Sequence, residues 1–117
     1  MTYTVKYKEK HGRGFVRVIS KRKIREYSDK NAQAKVPLAE WYGKMIEFEG
    51  NNLTELRMTF NSADPVNGYT VFNIGGNNYR LITAIHYNTK RCYIRTIWSH
   101  AEYSKAENKL KLKRGEL

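Results

Sequence analysis

The sequence is poor in the residues that form disulfides and metal centres. Cys92 is its single cysteine, so no disulfide can form within the chain, and a lone thiol is typical of a protein of the reducing cytoplasm. The three histidines, His11, His86 and His100, lack the close spacing of a zinc helix or a zinc finger. We therefore predict a protein that has no metal site and a reaction that does not depend on a metal.

Long apolar runs and several motifs of known chemistry are also missing. The chain has no stretch of about 20 apolar residues and no signal-peptide pattern, which predicts a cytoplasmic protein without a membrane partner. No glycine-rich loop leads from a strand into a helix, because Gly75 and Gly76 fall in a hairpin, so we expect no cofactor. The 11 acidic residues are scattered, which excludes the paired carboxylates of glycosidases and two-metal nucleases.

Positive charge is what the chain has in excess. Its 22 lysines and arginines outnumber the 11 acidic residues, and the net charge of +11 with a pI near 9.8 favours a polyanionic partner, first of all nucleic acid. A length of 117 residues suits one domain. We predict an N-terminal extension over residues 1–15, which has no settled hydrophobic period, and one domain over residues 16–117 with a basic C-terminal tail.

Hydrophobic periodicity predicts an α+β fold. A short strand at 16–19 precedes helices whose apolar residues recur at helical spacing. Three segments rich in β-branched and aromatic residues follow, at 69–74, 79–87 and 92–98, and form an antiparallel three-strand meander. We expect the N-terminal strand and the helices to pack on one face of this antiparallel sheet. A capping box after the last strand then starts a short C-terminal helix at 100–103.

The lengths of the two hairpin loops predict the register of the meander. A four-residue loop sets Asn73 opposite Arg80, and a two-residue turn before the last strand sets His86 opposite Tyr93. One face is then apolar and should pack on the helices: Phe72, Ile74, Leu81, Ile85, Tyr87, Cys92, Ile94 and Trp98. The other face mixes polar and apolar residues and should be at least partly open: Asn73, Arg80, His86, Tyr93 and Arg95 with Val71, Ile82, Ala84 and Ile97.

The open face and the turn that follows it could cleave RNA. Without a metal, attack of a 2′-hydroxyl on the adjacent phosphate needs a base, an acid and cations around the phosphorane. Arg80 and Arg95 supply cations, and His100 and Tyr103 lie three residues apart at a helix N-terminus, where the helix dipole favours a phosphate. The arginines and His100 are equally compatible with solvated surface positions, and Tyr103 with a core position.

Several segments resemble the HigB toxin family, within the RelE-like superfamily. They are residues 17–26, 37–42, 71–74, 77–81, 93–95 and 99–103, and the resemblance extends over about residues 16 to 104. It implies a RelE-like fold in which Arg80 stabilises the cleaved phosphate and the turn from His100 to Tyr103 supplies acid, base and stacking groups. It also implies action on mRNA in the ribosome and neutralisation by a HigA-like helix-turn-helix antitoxin. Residues 1–15 and the long basic tail are additions to the family pattern.

These observations lead to one hypothesis, ribosome-dependent endonucleolytic cleavage of mRNA by a toxin of a toxin–antitoxin system. Arg80 and Arg95 would stabilise the phosphorane, His100 would transfer a proton, and Tyr103 would orient the nucleotide. The further RNA-binding candidates, which line the RNA path or hold message and rRNA backbone, are Asn73, Arg57, Lys21, Lys23 and Arg91. Two alternatives stay open: a non-enzymatic toxin that binds another target such as gyrase, and a decayed toxin that acts only with its antitoxin.

Overall fold

The computed structural model describes residues 14–117 of the chain. The predicted N-terminal extension, residues 1–15, therefore lies outside the described residues except for its last two. None of the helices within the described range is long and apolar enough to cross a membrane. The elements follow in the order β1 (Arg17–Ile19), α1 (Arg22–Lys30), a 3₁₀ turn (Ala32–Ala34), α2 (Lys35–Met45), α3 (Leu53–Thr59), β2 (Asp64–Val66), β3 (Tyr69–Ile74), β4 (Tyr79–His86), β5 (Arg91–Ser99), α4 (His100–Ser104) and α5 (Ala106–Lys113).

A five-stranded sheet with the order β1-β5-β4-β3-β2 forms the middle of the molecule. Strands β3, β4 and β5 form the predicted antiparallel meander, and the α+β fold class is confirmed. The sheet is mixed because β1 pairs in parallel with β5 at the edge. The three-residue strand β2, at the other edge, was not predicted. It contains Pro65. Proline has no N–H to donate to a neighbouring strand, so it is tolerated in an edge strand but not in a central one.

The register of the meander agrees with the prediction at one hairpin and differs at the other. Asn73 is paired with Arg80 across β3 and β4, as predicted. Between β4 and β5, His86 faces Arg91 and Tyr93 faces Ala84, so the predicted pairing of His86 with Tyr93 is wrong. The reason is a four-residue loop, 87–90, in place of a two-residue turn. The two rings still meet diagonally, edge to face, with centroids 5.4 Å apart.

A β-bulge in β5 changes which residues face which side of the sheet. Ile94 pairs with Thr83 and Thr96 pairs with Ile82, so Arg95 has no partner in the β4–β5 ladder. Because side chains alternate between faces, one extra residue reverses the alternation after the bulge. Ile97 therefore lies in the main core and Trp98 packs on the opposite face, the reverse of the predicted assignment.

Hydrophobic clusters form on both faces of the sheet. On one face, helices α1, α2 and α3 cover Phe72, Leu81 and Ile94, in agreement with the predicted packing. On the other, Leu112 of α5 is 2% exposed and packs with Tyr69, Val71 and Ile82. The second face is thus partly covered by the C-terminal helix, and it is at the junction of β5 and α4 that polar side chains gather.

Candidate active site

The junction between β5 and α4 is fixed by local hydrogen bonds. The Ser99 hydroxyl accepts a hydrogen bond from Glu102 N, and the Glu102 carboxylate accepts one from Ser99 N, which completes the predicted capping box. The backbone N–H of His100 donates to the carbonyl oxygen of Asn78 at 2.8 Å. The first turn of α4 is therefore tied to the β3–β4 loop, and the tie places His100 beside the start of β4.

Arg80, near the start of β4, is a buried cation held by backbone acceptors. The residue is only 9% exposed to solvent. Nη1 donates to the carbonyl oxygens of Asn77 and Tyr79, each at 3.1 Å, and Nη2 donates to the side-chain oxygen of Asn77. These bonds fix the plane of the guanidinium, as its fork of donors permits. Asn77 was not predicted as a site residue from the sequence; its place in the loop just before Arg80 is the signal that could have indicated it.

His100 meets this guanidinium through one ring nitrogen. Arg80 Nη2 and His100 Nδ1 are 3.3 Å apart. Because an arginine can only donate, this contact is a hydrogen bond in the tautomer whose Nδ1 accepts. The histidine is exposed to solvent. The arrangement leaves Nε2 as the ring atom available for proton transfer with a ligand.

Tyr103 completes the cluster one turn further along α4. The Arg80 Cζ lies 5.4 Å from the centroid of the Tyr103 ring, within the range of a cation–π contact. Lys109 Nζ, from α5, lies 5.6 Å from the same centroid. The Trp98 ring lies 6.3 Å away with an interplanar angle of 48°. Trp98 and Lys109 were both missed from the sequence, because one depends on the bulge and the other on the placement of α5.

Arg95 does not join the other three predicted catalytic residues. Its Cζ lies 5.5 Å from the centroid of the Tyr93 ring, and its carbonyl oxygen accepts a hydrogen bond from Lys23 Nζ at 2.9 Å. Arg80 is paired with Trp98, three residues beyond Arg95 on β5. At about 3.3 Å per residue the two arginines are separated by roughly 10 Å along the sheet.

The predicted RNA-binding residues are spread over the surface. Asn73 is exposed and is the neighbour of Arg80 in the β3–β4 ladder. Arg57 Nε donates to the carbonyl oxygen of Ala63 at 2.8 Å and so holds the turn before β2. The remaining candidates lie toward the other end of β5: Lys21 packs over Tyr42, Lys23 bonds to the β5 bulge, and Arg91 is exposed opposite His86.

The electrostatics of the cluster favour an anionic ligand. Among residues 14–117, neither Arg80 nor Lys109 forms an ion pair with a carboxylate. A buried charge is costly unless an opposite charge or strong hydrogen bonds compensate it. Within the same residues no group of three metal-ligating side chains occurs. Hydrogen bonds to Asn77 and Tyr79 compensate the buried charge of Arg80 in part, and a phosphate group would add an opposite charge beside it.

Two other titratable groups near the sheet are kept neutral. Burial raises the pKa of the Tyr27 hydroxyl, and the nearby Glu102 and Tyr79 raise it further. The rings of Tyr27 and Tyr79 pack edge to face, with their centroids 5.9 Å apart. Burial also raises the pKa of the Cys92 thiol to about 12, only partly offset by the Thr83 hydroxyl. Cys92 is therefore a core residue and not a nucleophile.

Comparisons with known proteins identify the family. The family model of HigB toxins, RelE-like toxic components of toxin–antitoxin systems, matches residues 34–106. The mRNA interferase HigB of Escherichia coli O6:H1 is 32% identical over 91 residues, which cover 75% of this chain and 88% of that protein. The mRNA interferase toxin HigB of Escherichia coli strain K12 is 26% identical over 89 residues, covering 74% and 86% respectively. The match includes the cluster of Arg80, His100 and Tyr103, and the chain belongs to the HigB toxin family.

Proposed function

We propose that this toxin is an mRNA interferase, an endoribonuclease that cuts messages while the ribosome translates them. The observation that carries the proposal is the buried Arg80, which contacts both His100 Nδ1 and the Tyr103 ring and has no carboxylate partner among residues 14–117. A cation, a proton-transfer group and a stacking surface thus meet at one point. The net charge of +11 and the printed names of the relatives, mRNA interferases, support RNA as the substrate.

The geometry suits cleavage by the 2′-hydroxyl of the RNA itself. In this reaction the 2′-oxygen forms a bond to phosphorus and the bond from phosphorus to the 5′-oxygen breaks, which leaves a cyclic 2′,3′-phosphate and a 5′-hydroxyl. One proton leaves the 2′-hydroxyl and one reaches the 5′-oxygen. His100 transfers one of these protons through Nε2, because Nδ1 faces Arg80, and solvent water exchanges the other. The nucleophile belongs to the substrate, so the chain need not activate a water molecule.

Arg80 and Tyr103 have separate roles in this mechanism. Arg80 stabilises the negative charge that develops on the phosphorane oxygens, since its guanidinium is held in place before the substrate arrives. Because this cation can do what a metal ion does in other nucleases, we propose a metal-independent reaction. Tyr103 orients the nucleotide by stacking on a base.

The other basic residues hold the RNA. Asn73, beside Arg80 in the ladder, lines the path next to the cut phosphate. Arg95 lies too far along β5 to reach the same phosphate, so we place it with Lys23 as a backbone contact. The remaining assignments are Arg57 on the RNA path and Lys21 and Arg91 on message or rRNA backbone.

The partners and the setting of this activity follow from the family. We propose that residues 16–117 form the toxin domain and residues 1–15 an extension, that a HigA-like helix-turn-helix antitoxin neutralises the toxin, and that translated mRNA in the cytoplasm is its target. A cytoplasmic target fits the single buried cysteine, which needs no oxidising environment.

Primer extension on mRNA from cells that briefly express the chain tests the proposal. His100→Ala removes the proton-transfer group, and His86→Ala is the matched control, since His86 is exposed on β4 and packs against Tyr93. We expect new cuts with the wild type and with His86→Ala, and none with His100→Ala. The cuts should occur in a transcript with a start codon and be absent from the same transcript without one.

Three results would contradict parts of this proposal. Cuts in the untranslated transcript would refute ribosome dependence. Equal cutting by His100→Ala and His86→Ala, with both proteins folded by circular dichroism, would refute the assigned site. Growth arrest without any new cut would favour a toxin that binds another target and does not cleave RNA.

A further inference from the structure

All of helix α5 except its first residue lies beyond the family match, which ends at residue 106, and the helix is anchored at both ends. At its start, Asn108 Nδ2 donates to the carbonyl oxygen of Glu102 at 2.8 Å and ties α5 to α4. In its last turn, Leu112 is buried against the sheet, and Asn67 Nδ2 donates to the carbonyl oxygen of Lys113 at 2.6 Å. Anchors at both ends therefore determine which side of α5 faces the candidate active site.

Lys109 occupies that side. Its ammonium lies 5.6 Å from the Tyr103 centroid, and Arg80 lies 5.4 Å from the same centroid. Lys109 is exposed and has no ion pair within residues 14–117, so its charge is available to a ligand. Lys111 has the same charge and is also exposed. Two positions along a helix correspond to about 200°, which places Lys111 on a different side of α5.

We infer that Lys109 is a further RNA-binding residue, which neutralises a phosphate flanking the nucleotide that stacks on Tyr103. The inference rests on the proposed function and adds a subsite to it. A nucleotide within a strand has one phosphate on each side, and the Tyr103 ring has two cations beside it. Arg80, buried and rigidly held, serves the phosphate that reacts. Lys109, on an exposed flexible stem, serves the neighbouring phosphate as a point charge.

This division of roles predicts which kinetic quantity depends on Lys109. A contact to a phosphate that does not react is equally strong before and during the chemical step, so its loss weakens binding without slowing the step itself. Lys109 therefore acts in substrate binding and positioning.

The test measures cutting of one translated reporter mRNA by purified full-length protein, as initial rate against mRNA concentration. Lys109→Ala should raise the half-saturating mRNA concentration about 3- to 10-fold and leave the maximal rate unchanged, as expected for one lost phosphate contact. Lys109→Arg should restore the wild-type value because it keeps the charge. Lys111→Ala, with the same loss of charge on the same helix, should behave as the wild type.

The outcomes separate this inference from the proposed function. If the wild type cuts and Lys109→Ala matches Lys111→Ala, the inference is overturned while the proposed function stands. A lower maximal rate at an unchanged half-saturating concentration would also overturn the binding role. Absence of cutting by the wild type would overturn the proposed function and with it the subsite. Thermal melting of both alanine variants shows whether a difference arises from unfolding.

Discussion

Replacing Arg80 by lysine separates the charge of this side chain from its shape. The guanidinium uses two nitrogens, of which Nη1 reaches two carbonyl oxygens at 3.1 Å and Nη2 reaches Asn77 and His100 Nδ1. A lysine has a single nitrogen and cannot occupy both ends of this fork. Since the fork holds the positive charge beside His100, we expect Arg80→Lys to cut RNA about 10²- to 10³-fold more slowly.

The same substitution should weaken folding without abolishing it. The Asn77 and Tyr79 carbonyl oxygens lose the geometry of their present hydrogen bonds, and because both bonds are only partly buried the cost should not exceed the roughly 1–3 kcal/mol of an unpaired buried acceptor. Domains of this size are usually stable by about 5–15 kcal/mol, so the variant should remain folded at low temperature. Urea denaturation measures the loss and shows the range of conditions in which cutting rates can be compared.

The rate of cutting is measured on a translated reporter mRNA with purified protein, and Arg95→Lys is the matched control. Arg95 is exposed, and within residues 14–117 its guanidinium contacts the Tyr93 ring. A lysine keeps the positive charge that the proposed RNA backbone contact needs, so this substitution should change the rate by less than about threefold. If folded Arg80→Lys cuts within threefold of the wild type, the rigid fork is not needed and the reasoning fails. A large loss with Arg95→Lys would instead place Arg95 at the reacting phosphate.

Three further predictions concern stability. Leu112→Ala should lower the free energy of unfolding in urea by about 2–5 kcal/mol, since Leu112 is buried on the second face, and no change would mean that α5 does not pack there. The Tyr87 hydroxyl is buried without a partner in the described part of the chain, so Tyr87→Phe should keep or raise this free energy, by up to about 1 kcal/mol, and a clear loss would contradict the packing. The folded-state pKa of Cys92, about 12, exceeds its ordinary value of 9.0, so its contribution to stability is complete below pH 9 and is lost as the pH rises toward 12. Urea titrations over this range should show the wild type losing about 1.4 kcal/mol per pH unit more than Cys92→Ala, and parallel losses would refute it.

The features predicted correctly from the sequence are those fixed over short stretches of chain. The capping box at Ser99 and Glu102 involves residues three apart, so its pattern alone places the start of α4. The pairing of Asn73 with Arg80 follows from the length of one loop. These two local features already bring Arg80 and His100 to the same end of the sheet, which is why this part of the site could be predicted.

The features that were missed depend on contacts between distant parts of the chain. The helix α5 has a weak amphipathic pattern, with Leu112 as its buried residue, so nothing in its own sequence shows that it covers the second face. Lys109 therefore gave no signal among the lysines of the tail. The bulge at Arg95 could not be predicted from the sequence either, because each residue around it has a side chain that suits a regular strand.

The bulge nevertheless determines the composition of the candidate site. If β5 continued regularly from the pairing of Thr83 with Ile94, Arg80 would face Ile97. With the extra residue Arg80 faces Trp98, whose ring then lies beside Tyr103 on the second face.

The same extra residue also sets the position of α4. Tyr79 pairs with Ser99, so the next residue, His100, reaches Asn78 of the β3–β4 loop. In a regular ladder each residue after the bulge would be shifted by one position relative to β4, which would move His100 by about 3.3 Å relative to Asn78 and Arg80. The position of Arg95 in the bulge therefore affects the site even though its side chain lies apart from it. Arg95 is the bulge residue and has no partner on β4, and the register that follows the bulge places His100 beside Arg80.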